Sequence, residues 1–275
     1  MITKSSIKRY SRQVIAFVER DLSLELRIKS NFILNLINPF FQLLTLIFIF
    51  GFLFRGGITV GYWNNNNFAL FLLIAILLQF TLPISAKFLT MFITEKYWKT
   101  LSAIMIAPIH RFTLLGGVLI SFIVIKSLPL IILFIIIYIL YPISFLFIIL
   151  FLIVYLLIYL TYASIGLFIS VFAISNEKIV PYINFTLRFV SLFSCISYPL
   201  QIFPAEFQFF VLLNPFYYLF DLLRLTWYLG INYELSASNI TYTHLILIIL
   251  MPTISTIVAL SFFERIFKKH GITGY

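Results

Sequence analysis

The polar stretch from Glu95 to Arg111 lies between two long apolar runs and carries a single carboxylate among several cations. Catalysis would need convergent acid, base or metal residues, and the sequence offers no such set. Cationic and apolar residues are interleaved here as in a helix that adheres to a partner protein; they are Lys96, Lys99, Trp98, Leu101 and Met105. We expect Glu95 to orient this helix or to contact the partner. The alternative is an interfacial carboxylate that pairs with Lys96, Lys99 or Lys87.

A second group of polar residues follows Asn214-Pro215, a pair that predicts a helix start with Asn as the cap and Pro at the first helical position. Asp221 and Arg224 are three residues apart on one helical face, so we expect them to pair with each other and to hold this region together. The stretch from Pro215 to Gly230 would give roughly 22 Å of helix, which is short for a bilayer. We therefore predict a re-entrant or tilted hairpin over 198–229.

Lys126 is a charged residue well inside a long apolar run, where insertion costs about 2.5–3.5 kcal/mol. Such residues face a protein interior or an aqueous cavity, which makes Lys126 a candidate for a translocation path. The alternative is that its amine extends to the headgroups. Arg188 lies in a later apolar run, and we expect its side chain to extend to the headgroups.

No arrangement typical of an active site occurs in the sequence. The histidines at 110, 244 and 270 lack metal-ligand spacing, and no Ser/His or Cys/His arrangement indicates a nucleophile. None of the ten glycines belongs to a Gly-x4-Gly-Lys-Ser/Thr phosphate loop. We predict that the chain has no catalytic residue and no metal site, holds no cofactor and is not itself an enzyme.

Composition indicates a membrane protein, with 62% hydrophobic residues, 10% charged residues and a mean hydropathy of +1.09. The apolar runs are continuous rather than alternating, so we predict helices and not strands as the spanning elements. A spanning helix needs roughly 20 apolar residues. Six spans are predicted in an all-α membrane domain at 32–264, over 32–54, 68–93, 114–140, 145–173, 180–200 and 243–263.

The positive charges predict the orientation of these spans. Of 19 Lys and Arg residues, fourteen fall on one side: seven in the N-terminal segment, three in loop 94–112, one in loop 174–180 and three in tail 265–275. Only Arg55 and Arg224 fall on the other. The positive-inside rule then places both termini in the cytoplasm. The net charge of +10 is this topological signal together with attraction to lipid headgroups, and we predict no nucleic-acid binding.

The N-terminal segment 1–31 predicts a cytosolic helix in the membrane interface. Residues 4–20 have apolar side chains at helical spacing and four cations on the other arc. Residues 21–29 alternate strictly, which alone would indicate a strand. A lone strand would leave its backbone unpaired, so a continued helix is favoured.

Residues 95–111 resemble the segment after the second membrane helix of ABC-2 type exporter permeases. Members of that family run roughly Glu-x3-Gly-Thr-Leu-Glu-x5-Pro-x2-Arg. The residues in register are Glu95, Thr100, Leu101, Pro108 and Arg111. Two positions depart from the pattern, because Lys99 stands where the family usually has Gly and Ser102 where it often has Glu.

The second group also resembles this family, which carries Asn-Pro-x2-Tyr-x2-Asp-x-x-Arg before its last span. The matching residues are Asn214, Pro215, Tyr218, Asp221 and Arg224. The resemblance implies a permease of the drug- and lipooligosaccharide-exporter kind. It also implies a second permease copy, in a homodimer or heterodimer, and a separate ATPase subunit that binds ATP and Mg²⁺ and docks on coupling segment 94–112.

Two other classes compete with this interpretation. A lipid-modifying membrane enzyme would need convergent acid, base or metal residues, which are absent from the sequence. A secondary transporter or channel would be expected to have several intramembrane acids or two matching halves with broken helices. The few acids here lie near the ends of the predicted spans.

Overall fold

Ten helices make up the described part of the chain, which in this computed structural model comprises residues 4–27, 29–54, 63, 67–100, 111–175, 177–232 and 240–270. No strand occurs among these residues, in agreement with the predicted all-α class. Their bounds are α1 Lys4–Arg27, α2 Lys29–Phe54, α3 Phe68–Gln79, α4 Pro83–Tyr97, α5 Arg111–Leu140, α6 Phe145–Ser175, α7 Val180–Leu192, α8 Ala205–Leu213, α9 Pro215–Asn232 and α10 Tyr242–His270. The alternating residues 21–27 are helical, as favoured above.

Four helical stretches are long and apolar enough to cross a membrane: Phe68–Tyr97, Leu115–Leu140, Phe145–Ala173 and Tyr242–Phe263. They coincide with four of the six predicted spans. A fifth is reached if α8 and α9, which meet at a bend of 90°, are counted as one broken span. The chain is thus an all-helical membrane protein with four or five candidate spans within its described residues.

Helix α7 differs most from its predicted span, 180–200. It has 13 residues, which corresponds to about 20 Å, and a bilayer core is about 30 Å thick. Serine hydroxyls donate hydrogen bonds to the backbone carbonyls near its C-terminal end. Ser194 Oγ donates to Val190 O at 2.7 Å, and Ser191 Oγ donates to Arg188 O at 2.9 Å. Cys195 then adopts φ 54, a left-handed conformation that ends the helical path.

Helix α6 lies at the centre of the fold, with α4, α9 and α10 packed along it. Helices α4 and α6 approach so closely that a Cβ on Gly166 would lie 2.6 Å from Ser85 Cα. On α9, Trp227 is fully buried between Phe151 and Phe134, with ring centroids 4.8 and 5.4 Å away. Glycine at 166 therefore permits helix contact that any side chain would prevent.

The span Phe68–Tyr97 is broken at 80–82, between α3 and α4. Pro83 lacks an N–H, and the N–H of Ile84 donates to Thr81 O, so the helix leaves Phe80 O without its usual partner. Tyr159 Oη of α6 donates to Phe80 O at 3.2 Å, and Tyr155 Oη donates to Leu77 O at 3.0 Å. Buried hydroxyls of a neighbouring helix thus satisfy the broken backbone, as a membrane interior requires.

Candidate functional site

Glu95 lies in the last turn of α4 and is 7% exposed. Its carboxylate accepts a hydrogen bond from Arg20 Nη1 of α1 at 2.9 Å, across 75 residues of sequence. The alternative interpretation, in which it pairs with Lys96, Lys99 or Lys87, is therefore wrong. Lys96 and Lys99 are exposed on the outer side of the α4 end, whereas Arg20 of α1 reaches the buried carboxylate of Glu95.

The C-terminal end of α4 has the hydrogen bonds of a Schellman motif, with Thr100 N donating to Glu95 O at 3.0 Å and Lys99 N to Lys96 O at 3.1 Å. Lys99 has φ 57, the left-handed conformation that glycine adopts most easily. The family pattern has Gly at this position, and the left-handed backbone conformation explains why glycine is favoured here. Thr100 Oγ1 also donates to the Glu95 carboxylate, so Glu95 ties the start of the following segment to α4.

Asp21 of α1 is the acid that the sequence did not single out. It is 3% exposed, its Oδ1 lies 3.1 Å from Arg20 Nη2, and its Oδ2 accepts from Ser121 Oγ of α5 at 2.8 Å. Arg20 also lies over the ring of Phe17, 5.3 Å from its centroid. One feature of the sequence indicates that Asp21 has a role: it directly follows Arg20, one of the cations on the polar face of α1. Asp21 is also the first residue of the alternating stretch 21–29, so from the sequence alone it is interpreted only as part of that pattern.

The surface beside these contacts is aromatic and basic. Tyr97 and Trp98 are 68% and 58% exposed, and Lys96 and Lys99 are exposed with them. Of the other predicted contact residues, Leu101 and Pro108 lie outside the described residues. Arg111 begins α5, and its side chain is also outside the described part.

Lys126 of α5 is partly buried, and its Nζ lies 5.9 Å from the ring centroid of Phe122. Glu25 and Lys87 are its charged neighbours. The carboxylate of Glu25, on α1, attracts the ammonium of Lys126, and the ammonium of Lys87, on α4, repels it. Whether Lys126 lines a path stays a prediction.

Arg224 of α9 is 1% exposed and donates through Nη2 to the backbone carbonyls of Cys195, at 2.7 Å, and Ile196. Its guanidinium lies 4.1 Å from the ring centroid of Phe71 on α3. Arg224 therefore joins three elements: α9, the turn after α7, and α3. Carbonyl dipoles and an aromatic face together offset part of the cost of burying its charge.

Asp221 pairs with His244 of α10, not with Arg224. The Asp221 Oδ2 atom lies 3.3 Å from His244 Nε2, and Thr241 N donates to His244 Nδ1 at 3.2 Å. An imidazole that accepts at Nδ1 carries its proton at Nε2, so it donates to the carboxylate. The predicted internal ion pair is wrong because each side chain reaches a different neighbouring element.

Asn214 and Tyr218 complete these contacts. Asn214 caps α9 as predicted, since its Oδ1 accepts from Phe216 N at 3.1 Å, and its Nδ2 donates to Val190 O at 2.9 Å. Pro215 is the first residue of α9. Tyr218 Oη donates to Leu212 O at 3.0 Å, while its ring packs edge-on against His244. The five residues of the second motif thus form a connected hub, which joins α9 to α3, α7, α8 and α10.

Neither group has the composition of a catalytic centre. Among the described residues, no set of three or more His, Cys, Asp or Glu side chains could hold a metal ion. The polar side chains of both groups bond to backbone or to one another across helices. Such an arrangement positions helices relative to one another.

A family model described as ABC-2 type transporter matches residues 12–228 and thus includes both groups. Among curated proteins, no match to the chain is found.

Proposed function

The chain belongs to the ABC-2 type transporter family and is the membrane permease component of an ABC transporter; from this premise we propose that it is the permease subunit of an ATP-driven exporter. A separate ATPase subunit would supply the energy, since permeases of this family work with an ATP-binding partner. ATP and Mg²⁺ would be bound by that partner. The location proposed is the plasma membrane of a prokaryote, with both termini in the cytoplasm.

The end of α4 is the observation that carries the proposal. Two spans flank the polar segment, and its described part presents Tyr97, Trp98, Lys96 and Lys99 to the outside. Trp and Tyr are among the residue types that most often anchor protein–protein interfaces. We propose that segment 94–112 is the docking site of the ATPase subunit and transmits its motion as a coupling helix.

The hub around Arg224 supports a role at the outer side of the path. It ties the bent pair α8–α9 to α7 and α10, so these elements would move as one body. In the proposal, this body helps to close the outer gate. A second permease copy supplies the other wall of the path, through which an amphiphilic drug-like molecule or a lipid- or glycan-bearing one leaves the cytoplasm.

Co-expression with a candidate ABC ATPase, chosen from reading frames that neighbour the gene of this chain, tests the proposal. Reconstituted in proteoliposomes, the two subunits together should hydrolyse ATP and the permease alone should not. Hydrolysis by the purified permease, or failure of the two subunits to co-purify under any detergent or lipid condition, would refute the assignment.

A further inference from the structure

We propose that Arg20 is a positioning residue that makes α1 a brace between the two helices flanking the coupling segment, an inference that rests on the proposed function. The brace consists of five side chains on four consecutive contacts: Ser121, Asp21, Arg20, Glu95 and Thr100. Its predicted consequence is that motion of the docked ATPase reaches α5 through α1.

The order of the contacts supports this. Helix α4 ends at Tyr97 inside the coupling segment, Thr100 follows, and the chain re-enters the described fold at α5. Glu95 binds both Thr100 and Arg20 on the α4 side. Asp21 binds Ser121 on the α5 side at 2.8 Å. Arg20 and Asp21 are adjacent in α1 and joined at 3.1 Å, so a continuous polar chain runs from one end of the segment to the helix after it.

The charges make Arg20 the critical member of this chain. Asp21 and Glu95 are both nearly buried, and the single guanidinium of Arg20 serves both carboxylates. Without Arg20, two buried carboxylates of like charge would remain near each other and repel. The side chain of Arg20 is itself 33% exposed, so its replacement removes the charge while disturbing little packing.

Close packing joins α1 to α5 beside the polar chain. A Cβ on Gly117 would lie 2.9 Å from Phe17 Cβ, so the two helices touch with no side chain on the α5 side. Helices in such contact move together, because a packed interface transmits displacement. Motion of the α4 end would therefore shift α5 over the stretch from Gly117 to Ser121, about two to three turns beyond its start.

The experiment uses the permease–ATPase complex in lipid nanodiscs, with Cys195→Ala as background. Spin labels on Ile120→Cys, within the stretch of α5 that meets α1, and Phe145→Cys, at the start of the central helix α6, report α5 movement by pulsed electron resonance with and without ATP·vanadate. Both side chains are exposed, at 42% and 75%. In Arg20→Ala, the nucleotide-induced change in the ratio of distance populations should fall about fivefold or more, while ATPase association and ATP hydrolysis persist.

Two further variants separate positioning from folding. Arg20→Lys should restore part of the nucleotide response because it keeps the charge, and Glu95→Gln should lose it like Arg20→Ala. The matched control is Arg12→Ala, an exposed arginine on the same helix, which should respond like the wild type. An unaltered response in both Arg20→Ala and Glu95→Gln would overturn the brace. Absence of the ATPase from the wild-type complex would instead overturn the proposed function.

Discussion

The Nη2 atom of Arg224 lies 2.7 Å from the carbonyl oxygen of Cys195, a residue whose backbone is in the left-handed region with φ 54. A non-glycine residue in that conformation costs roughly 1–2 kcal/mol. The charge-assisted hydrogen bond offsets this cost and fixes the turn that ends α7. No residue of α7 is buried by the described part of the chain. This turn and the hydrogen bond from Asn214 Nδ2 to Val190 O attach the C-terminal end of α7 to α9.

Arg224→Ala should destabilise the protein by about 1–3 kcal/mol, because it leaves the buried carbonyls of Cys195 and Ile196 without their hydrogen-bond donor. Melting of a fluorescent-protein fusion in detergent would measure the loss, with the exposed Arg188→Ala as a control that should change little.

Because Asp221 and Arg224 have different partners, the exchange of the two charges should not rescue folding. The double variant with Asp221→Arg and Arg224→Asp should melt no higher than the worse single variant. Recovery in the double variant would mean that the two side chains form a direct pair after all.

Lys99→Gly should stabilise the protein by about 0.5–1 kcal/mol. Glycine relieves the left-handed strain at φ 57, and part of this gain is offset by its larger freedom in the unfolded chain. Lys99→Ala removes the same charge but keeps the strain, so it should bring no gain. Equal melting temperatures for the glycine and alanine variants would show that the backbone at Lys99 is unstrained.

Gly166→Ala should cost about 1–3 kcal/mol, since its Cβ would meet the backbone of Ser85 at 2.6 Å and force α4 and α6 apart. The matched control is Gly116→Ala on α5, where a Cβ meets nothing within 4 Å. That variant should be neutral or slightly stabilising because alanine favours helix. Thermal melting of both variants in the same detergent distinguishes close helix contact from a general intolerance of larger residues.

Hydrophobic runs predicted the class and four of the candidate spans, because membrane helices must satisfy their own backbone and show this in composition. The break of the helix at 80–82 is harder to predict from the sequence. Pro83 is visible in the sequence, but the hydroxyls of Tyr155 and Tyr159, which compensate for the break, lie 78 and 79 residues after the carbonyls that they bind.

The partners of the site residues were predicted less well than the residues themselves. Helical spacing put Asp221 and Arg224 on one face, and this is compatible with a pair. Their actual partners, His244 and the carbonyl of Cys195, are more than 20 residues away. The same holds for Arg20 and Glu95, 75 residues apart. Sequence spacing identifies which side chains share a face, and tertiary packing decides what that face meets.

The orientation of the chain is a separate prediction, motivated by the distribution of Lys and Arg. Single cysteines at Asn65 and Ser236, in a Cys195→Ala background, should react with a membrane-impermeant thiol reagent added to intact cells. A cysteine at Trp98 should react only after permeabilisation. The opposite pattern of labelling would invert the topology and with it the assignment of the docking side.

Trp98→Asp should detach the ATPase subunit without disturbing membrane insertion. The side chain is 58% exposed at the end of α4, so a carboxylate there costs the fold little, yet it would place a desolvated charge in the centre of a docked interface. Central aromatic anchors contribute about 2 kcal/mol or more, which corresponds to a loss of roughly 30-fold or more in affinity. Co-purification and proteoliposome ATP hydrolysis would measure the effect.

The control for that variant is Tyr242→Asp, an aromatic residue that is 85% exposed at the start of α10 and predicted to lie on the opposite side of the membrane. It should bind the ATPase as the wild type does. Full ATPase association in Trp98→Asp would move the docking site away from the end of α4. Equal loss in both variants would indicate impaired folding, which the yield of monodisperse permease would reveal independently. Selective loss in Trp98→Asp alone is the result expected if the exposed Tyr97–Trp98 pair is the anchor, since only that pair lies next to the Glu95 contacts that fix its direction.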